Sequence, residues 1–188
     1  MDPATDWVSG KFNGALDFDG DNDYINAGSD DSLDNLNEFT YTVWLYPRGR
    51  GENNEARIFD KRSSNPGFET QITTDYEFFA IRNCNTTNAM ARTPDNTLKI
   101  NQWQHLVVTY TNNDINIFVN GILQQNDQNS DCEGGLADDS SETLFIGNYS
   151  TPIRTFDGLI DEVKIYNYAL TADQVKTDYN NGAVRFSQ

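Results

Sequence analysis

A chain of 188 residues with 29 acidic and 13 basic side chains carries a formal charge of −16 at pH 7. That charge repels phosphodiester backbones and anionic lipid headgroups, so we expect no nucleic acid partner and no membrane insertion. The length suits a single domain over residues 1–188, with a core at about 12–180, because all-β domains often need about 200 residues to close one core.

Short aromatic or β-branched runs follow one another along the chain and are separated by turn residues, which is typical of a β-sandwich. In the first run, alternation places Leu16 and Phe18 toward the core and the acidic residues between them toward solvent. The predicted strands are residues 15–19, 39–46, 57–61, 68–73, 78–82, 103–111, 115–119, 122–123, 143–147 and 158–166, and the predicted loops are 49–54, 83–96 and 126–141.

One short helix is predicted near the C-terminus. Thr171 is a good N-cap, Val175 and Tyr179 share a helix face, and the helix is expected to end near residues 180–182. The predicted turns lie at residues 63–67, 112–114 and 120–121. Because no helix separates the strands, the sequence predicts an all-β antiparallel sandwich with one short C-terminal helix.

The only two cysteines, Cys84 and Cys132, lie in polar segments rich in Asn, Asp and Gly. A cytosolic pair is more often a close C-x-x-C or buried in apolar sequence, so we expect these two to form a disulfide. The sequence therefore favours an extracellular or cell-surface location, with neighbouring domains in a longer secreted chain.

Several segments, in this order, resemble the laminin-G-like, concanavalin A-like jelly-roll family. GALDFDG followed by DYI is similar to its opening signature, and GLIDEVKIYNYALT is similar to its terminal "G.IDEVRIYNRALS". The segments that carry the resemblance are residues 14–25, 39–47, 103–110, 117–122 and 158–171. The resemblance implies a jelly roll, but its members include lectins, carbohydrate-binding modules, adhesins, pentraxin-like proteins, glycosidases and lyases, so it gives only a prior on function.

A run of short acidic side chains suits calcium, which takes six to eight oxygen ligands. Such a run, Asp19, Asp21, Asn22 and Asp23, lacks the EF-hand pattern. The resemblance implies instead that the first and last strands lie side by side and hold a structural calcium between Asp19 and Asp161. Asp161 shares strand parity with apolar neighbours, where an unpaired carboxylate is costly; a cation or a β-bulge would resolve this. The alternative is an Asx-type turn at residues 19–23, with Asp161 accepting ordinary hydrogen bonds.

The residues offer little for catalysis. His105, the single histidine, lies in an apolar strand pattern, and no G-x-S-x-G elbow is present. No strand carries the E-x-D-x-x-E or E-x-D-x-E pattern of the glycosidases that the resemblance would include. We therefore expect a non-catalytic module, with a polysaccharide-degrading enzyme as the least favoured reading.

The resemblance implies a polysaccharide or glycan ligand, and sugar sites in such domains combine aromatic faces with polar donors. Basic residues are scarce in this acidic chain, and arginines clustered on one face could bind an acidic polysaccharide through bidentate contacts. The candidate carbohydrate-binding residues are Tyr46, Arg57, Arg62, Arg82, Tyr149 and Arg154. The alternative is that the arginines only balance acids and the tyrosines pack in the core. The domain would then be a structural or protein-interaction spacer without glycan binding.

Overall fold

The computed structural model describes residues 6–62, 66–111, 114–124, 127–129, 132–149, 151 and 153–180. These residues form two antiparallel seven-stranded sheets packed face to face, with one α-helix. The strands are β1 Trp7–Ser9, β2 Gly14–Asp19, β3 Ile25–Gly28, β4 Phe39–Pro47, β5 Arg57–Asp60, β6 Phe68–Ile72, β7 Phe78–Arg82, β8 Ala89–Arg92, β9 Gln104–Thr111, β10 Asp114–Val119, β11 Ile122–Leu123, β12 Asp127–Asn129, β13 Leu144–Ile146 and β14 Asp157–Tyr166.

The first sheet has the order β1-β2-β14-β4-β9-β10-β11, and the second has the order β12-β8-β7-β6-β5-β13-β3. The predicted all-β, antiparallel sandwich is confirmed. The last strand, β14, pairs with both β2 and β4, so strands from the two ends of the chain are neighbours in the first sheet. None of the described residues belongs to a helix that is long and apolar enough to cross a bilayer.

The core lies between the two sheets and follows from the alternation of side chains along each strand. On β4, Phe39, Tyr41, Val43 and Leu45 are buried in the main core cluster, against residues of the second sheet such as Phe59. Each fully buried side chain of this size contributes about 1.5–3 kcal/mol of transfer free energy. Because the period is two, the next residues along the same strands must face outward, and those residues form the two outer faces.

Helix α1, Ala172–Tyr179, covers part of the outer face of the first sheet. Thr171 caps it in a capping box, as predicted. Val175 packs with Val107 and Phe118 of the sheet, and the Asp178 carboxylate contacts the buried His105 side chain at 3.2 Å and Lys164 at 2.8 Å. These two partners hold the pKa of Asp178 below its usual range. The helix was predicted to end near residues 180–182, and of these residues 181–182 lie outside the described part of the chain.

The prediction of residues 83–96 as one loop is wrong. This segment contains β8, whose Ala89 and Ala91 are buried against the core. Alanine is depleted in strands, and two small side chains give a weak alternation signal. Strands β1, β3 and β12 were also not predicted, and β12 lies within the predicted loop 126–141.

The predicted turns have different outcomes. Asn120 and Gly121 form a tight turn with φ of 53° and 77°, the backbone of a type I′ hairpin turn. Asp114 pairs with Thr111 across the β9–β10 hairpin, but residues 112–113 at its tip and residues 63–65 of the other turn lie outside the described residues.

The predicted disulfide is confirmed. Cys84 and Cys132 are bonded, with their Cα atoms 5.5 Å apart. Cys84 also forms an isolated bridge with Leu136. The bond therefore joins the segment that leads into β8 to the acidic segment before β13, and it fastens the edge of the second sheet.

Candidate functional site

The outer face of the second sheet carries a compact group of opposite charges, Arg57, Asp60, Arg62 and Glu69, which we call the outer-face cluster. A register shift between Arg57 and Phe59 lets two successive apolar residues of β5 enter the core and returns Asp60 to the outer face. Asp60 then lies directly opposite Glu69 of β6. The pairing of β5 with β6 therefore places two carboxylates side by side.

A single guanidinium joins these carboxylates. Arg57 Nε lies 3.1 Å from Asp60 Oδ2, and Arg57 Nη2 lies 3.0 Å from Glu69 Oε2. Arg62 is ion-paired with the same oxygen of Glu69, and its backbone N–H donates to Asp60 Oδ1 at 2.9 Å. Asp60, Glu69 and Arg57 are only 0%, 3% and 7% exposed, whereas the Arg62 side chain is partly exposed. The first three residues therefore form a floor, and Arg62 stands above it.

Burial shifts the pKa values of two residues of this floor, Arg57 and Asp60. Desolvation lowers the pKa of Arg57, and the charges of Glu69 and Asp60 oppose that shift. Burial together with the neighbouring Glu69 charge raises the pKa of Asp60 to about 7. The cluster pairs two guanidinium groups with two carboxylates, and it gains positive charge as Asp60 takes up a proton below about pH 7.

The raised pKa of Asp60 predicts a pH effect on stability. Between about pH 4 and 7, the folded protein keeps a proton that the unfolded chain has released, so this group lowers the free energy of unfolding as pH rises through that window. We expect Asp60→Asn to flatten the dependence of the free energy of unfolding on pH in that window. Asp95 is exposed, so Asp95→Asn should leave that dependence unchanged. Urea unfolding at pH 4.5, 6 and 8 measures the difference. If the free energy of unfolding changed with pH in the same way in the wild type and in Asp60→Asn, the raised pKa of Asp60 would be contradicted.

Aromatic and polar side chains surround the floor; we call Tyr24, Phe145, Tyr149 and Arg154 the rim. Phe145 lies opposite Asp60 on β13, and the ring of Tyr24, 44% exposed, meets it edge to face at 5.7 Å. The Arg154 carbonyl accepts from Arg57 N at 2.9 Å, and Tyr149 is close enough to affect the pKa of Arg57. The rim therefore offers one exposed aromatic ring, that of Tyr24, on the same sheet as the partly exposed guanidinium of Arg62.

One buried amide holds this part of the rim in place. Asn148 Oδ1 accepts from Tyr149 N at 2.9 Å and from Arg154 N at 3.1 Å, and its Nδ2 donates to Thr155 Oγ1 at 2.6 Å. Asn148 is fully buried. The Asn148 side chain therefore fixes the backbone at Tyr149 and at Arg154. The Arg154 side chain is also ion-paired with Glu55.

The structure brings Arg57, Arg62, Tyr149 and Arg154 of the predicted carbohydrate-binding residues together in the cluster and rim. Tyr46 does not join them, because it lies on β4 of the first sheet with its ring 5.6 Å from that of Trp103. Sequence reasoning missed Tyr24 and Phe145. The alternation of Leu144, Phe145 and Ile146 was the available signal, since it places Phe145 outward.

Arg82 requires a correction, because it is 1% exposed and cannot contact a ligand on the outer face. Its position on β7 points it inward, where its guanidinium lies over the Phe39 and Phe68 rings. Arg82 Nη1 pairs with Asp139 Oδ2 at 2.6 Å, and Lys61 Nζ lies 3.3 Å from the other oxygen of Asp139. Arg82 thus belongs to a buried ion-pair network.

The predicted calcium ligands do not converge as expected. Strands β2 and β14 do lie side by side, but their register places Asp157 opposite Asp19 and Ile160 opposite Leu16. Asp161 therefore lies four residues further along β14, about 14 Å away at the usual rise per residue. Asp19 and Asp161 are apart because of the register between β2 and β14, which the sequence composition does not reveal.

Asp161 and Asp157 have other partners. The Asp161 carboxylate accepts from Phe12 N at 2.9 Å and Glu162 N at 2.8 Å, and a β-bulge follows it on β14. Arg48 contacts Asp157 at 2.8 Å and Asp17 at 2.6 Å. The buried Asp161 carboxylate is thus satisfied by backbone N–H groups, and the partly exposed Asp157 and Asp17 carboxylates share an arginine.

The turn at residues 19–23 has the hydrogen bonds of an Asx-type turn. Asp21 N donates to Asp19 Oδ1 at 2.8 Å, and Asp19 N donates to Asp23 Oδ2 at 3.1 Å, while Asp21 and Asn22 are exposed. Within the described ranges, no group of three or more His, Cys, Asp or Glu side chains is arranged to hold a metal ion. Calcium binding stays a prediction.

Two facing antiparallel sheets with neighbouring terminal strands define a jelly-roll sandwich of the lectin type. The chain belongs to the concanavalin A-like lectin/glucanases superfamily, whose family model matches residues 19–176. No curated protein sequence matches it significantly.

Solved structures with this fold share little sequence with the chain. Domain 4 of the extracellular arabinanase AbnA from Geobacillus stearothermophilus, solved with arabinotriose, is 21% identical over 92% of this chain and 79% of that one, with a TM-score of 0.61. The SAP-like pentraxin of Limulus polyphemus is 18% identical over 83% and 80%, with a TM-score of 0.58. The binding domain of Paraclostridial Mosquitocidal Protein 1 is 17% identical over 93% of this chain but only 45% of its own, with a TM-score of 0.70. At these identities the likeness concerns the fold alone.

Proposed function

We propose that this domain is a carbohydrate-binding module, without catalytic activity of its own, in a larger secreted or cell-surface protein. The observation that carries the proposal is the outer-face cluster with its rim, where the exposed Tyr24 ring packs on Phe145, the residue opposite Asp60 of the cluster. Sugar sites combine an aromatic face for the C–H surface with a few fixed polar groups for the hydroxyls. The disulfide fits an oxidising location.

The charges of the site favour a neutral saccharide. The two guanidinium groups of the outer-face cluster already face two carboxylates, and Arg154 is paired with Glu55. Above about pH 7, where Asp60 is ionised, these pairs balance the positive charge that uronate groups would need. The formal charge of −16 also repels acidic polysaccharides as a whole. The ion pairs instead fix donors that can bind hydroxyl groups. Arabinotriose, the ligand of the arabinanase domain, is a neutral probe of suitable size.

The same geometry supports a non-catalytic role. Glycosidases place two carboxylates on either side of the sugar, at least about 5 Å apart, in contact with the substrate. Asp60 and Glu69 are both buried and bridged by Arg57, so they serve as the floor that positions Arg62.

The ion pairs also favour one alternative, a structural or protein-interaction spacer. Each arginine of the cluster and rim already has a carboxylate partner, which is what charge balance in an acidic chain would produce without a ligand. The two functions differ in one measurable respect, because a spacer would not be retained by any polysaccharide.

Affinity electrophoresis in gels containing arabinan, xylan, β-glucan or galactomannan tests the proposal. We expect the wild type to be retarded by at least one neutral polymer, and Tyr24→Ala or Arg62→Ala to lose roughly tenfold in affinity, about 1.4 kcal/mol. Arg92→Ala is the matched control, since Arg92 is an ion-paired arginine of the same sheet outside the cluster and rim. Retardation by no polymer, or equal loss in all three variants, would exclude this site.

We also propose that calcium binds at the turn of residues 19–23 without Asp161. Three aspartates and an asparagine within five residues supply the oxygen ligands that calcium prefers. Calcium at 100 times its dissociation constant would add about 2.7 kcal/mol to the free energy of unfolding. The expected results are a lower melting temperature in EDTA, no such response in Asp19→Asn, and an unchanged response in Asp161→Asn. A wild-type melting curve that is the same with EDTA and with calcium would rule out the ion.

A further inference from the structure

Two tyrosines form a ridge on the other side of the sandwich. Tyr166 ends β14 and packs with Val107 and Phe118 on the outer face of the first sheet. Its ring meets that of Tyr168 edge to face at 5.6 Å, and Tyr168 is 46% exposed. We call Tyr166 and Tyr168 the tyrosine ridge. It lies on a different sheet from the outer-face cluster and shares no residue with it.

A hollow lies on each side of the tyrosine ridge. One, of about 270 Å³, separates the ridge from helix α1, where Gln174 and Thr177 line it. The other, of about 290 Å³, separates the ridge from the segment with Ser32 and Leu36. Both volumes fall just below the range of about 300–1,000 Å³ typical of pockets for drug-sized ligands. Each hollow is therefore suited to a single sugar ring.

The linings combine apolar and uncharged polar groups. The second hollow has no charged residue, and the first has only Asp178. The Asp178 carboxylate is held by Lys164 at 2.8 Å and His105 at 3.2 Å. Its charge is thus compensated. Thr177 Oγ1 donates to Asp173 O, Gln174 Oε1 accepts from Thr171 N, and the Ser32 side chain hydrogen-bonds Asp30. The two hydroxyl oxygens can still accept a hydrogen bond and Gln174 Nε2 can donate one, and these are the neutral polar groups of the lining.

We propose that the tyrosine ridge is a second saccharide-binding site, which takes two neighbouring units of a neutral oligosaccharide, one in each hollow. The exposed Tyr168 ring stacks against the C–H face of a sugar, and the lining hydroxyl and amide groups bind its hydroxyls. The inference goes beyond the proposed function, because it depends on different residues on a different sheet. Two sites facing opposite sides would let one domain hold two glycan chains, or bind a branched one with increased avidity.

A ¹⁵N–¹H NMR titration of the whole chain with neutral arabino-, xylo- and cello-oligosaccharides of three to six units separates the two sites. We expect two groups of shifted amides, one at residues 57–62 and one at residues 166–178. Tyr168→Ala should weaken the second group at least tenfold and leave the first unchanged. Tyr168→Phe keeps the ring and should retain most of the affinity. Trp7→Ala, which removes another exposed aromatic ring, is the control.

The outcomes are distinguishable. Shifts at residues 57–62 alone, an unaffected second group in Tyr168→Ala, or a loss in Tyr168→Phe as large as in Tyr168→Ala would overturn the second site. Shifts at residues 166–178 alone would overturn the outer-face cluster as the site and keep the tyrosine ridge. No shifts with any oligosaccharide would overturn both.

Discussion

Asp139→Asn is expected to lower the free energy of unfolding by about 3–5 kcal/mol, because it leaves buried charge without compensation. Asp139 is fully buried and contacts two buried cations, Lys61 at 3.3 Å and Arg82 at 2.6 Å. Asp34 would remain as a partner for Lys61, at 2.8 Å, but among the described residues Arg82 would retain its contacts with aromatic rings and no carboxylate. Removing the Asp139 carboxylate thus leaves the Arg82 guanidinium buried without its ion-pair partner.

Urea unfolding at pH 7 measures the effect. Asp138→Asn is the matched control, since Asp138 is the exposed neighbour of Asp139 on the same segment and hydrogen-bonds only to Asn35 and Ser140 in the described structure. We expect its loss to stay below about 1 kcal/mol. Equal losses in the two variants would show that the buried network does not stabilise the fold.

Removing the disulfide is expected to have an effect of similar size. The bond between Cys84 and Cys132 closes a sequence separation of 48 residues. Cross-linking a loop of that length restricts the unfolded chain by about 4 kcal/mol in the chain-entropy description. The double variant Cys84→Ser, Cys132→Ser should lose that amount, and the reduced wild type should match it.

Urea unfolding with and without dithiothreitol checks this prediction. The reductant should destabilise the wild type and have no effect on the double variant, which serves as its own control. A loss below about 1 kcal/mol in both the reduced wild type and the double variant would contradict it.

The strands with strong local patterns could be predicted from sequence, and those with weak patterns could not. The segment from Phe39 to Pro47 has bulky side chains on both faces and ends at a proline. Thr171 is a typical N-cap residue, and it indicates where the helix begins. By contrast, β8 presents two alanines to the core. Its position between β7 and β12 depends on long-range pairing, which no local pattern encodes.

Register explains most of what sequence reasoning missed at the sites. The neighbourhood of β2 and β14 was predicted, but the alignment that places Asp157 opposite Asp19 was not. The same holds for Asp60 and Glu69, which lie on consecutive strands and meet because of a register shift in β5. A one-residue difference in register changes which side chains share a face, so composition alone cannot select them.

Burial separated the candidate arginines in a way their sequence context did not indicate. Arg62 and Arg154 keep part of their side chains in solvent, whereas Arg57 is nearly buried and Arg82 is inside the core. A cation can be buried only where carboxylates meet it, and some of those carboxylates, such as Glu69 for Arg57 and Asp139 for Arg82, come from other strands and loops. The depth of each arginine therefore follows from the tertiary structure, and the carbohydrate-binding role of those that stay partly exposed stays a prediction.

The central claim is that the outer face of the second sheet is a ligand-binding surface. A crystal structure of the Tyr168→Ala variant with a neutral oligosaccharide that retards the domain tests it most directly, because that variant removes the competing ridge. The account predicts a sugar ring over Tyr24, with hydroxyls in contact with Arg62 and Arg154. A sugar bound elsewhere, with the cluster and rim empty, would contradict it.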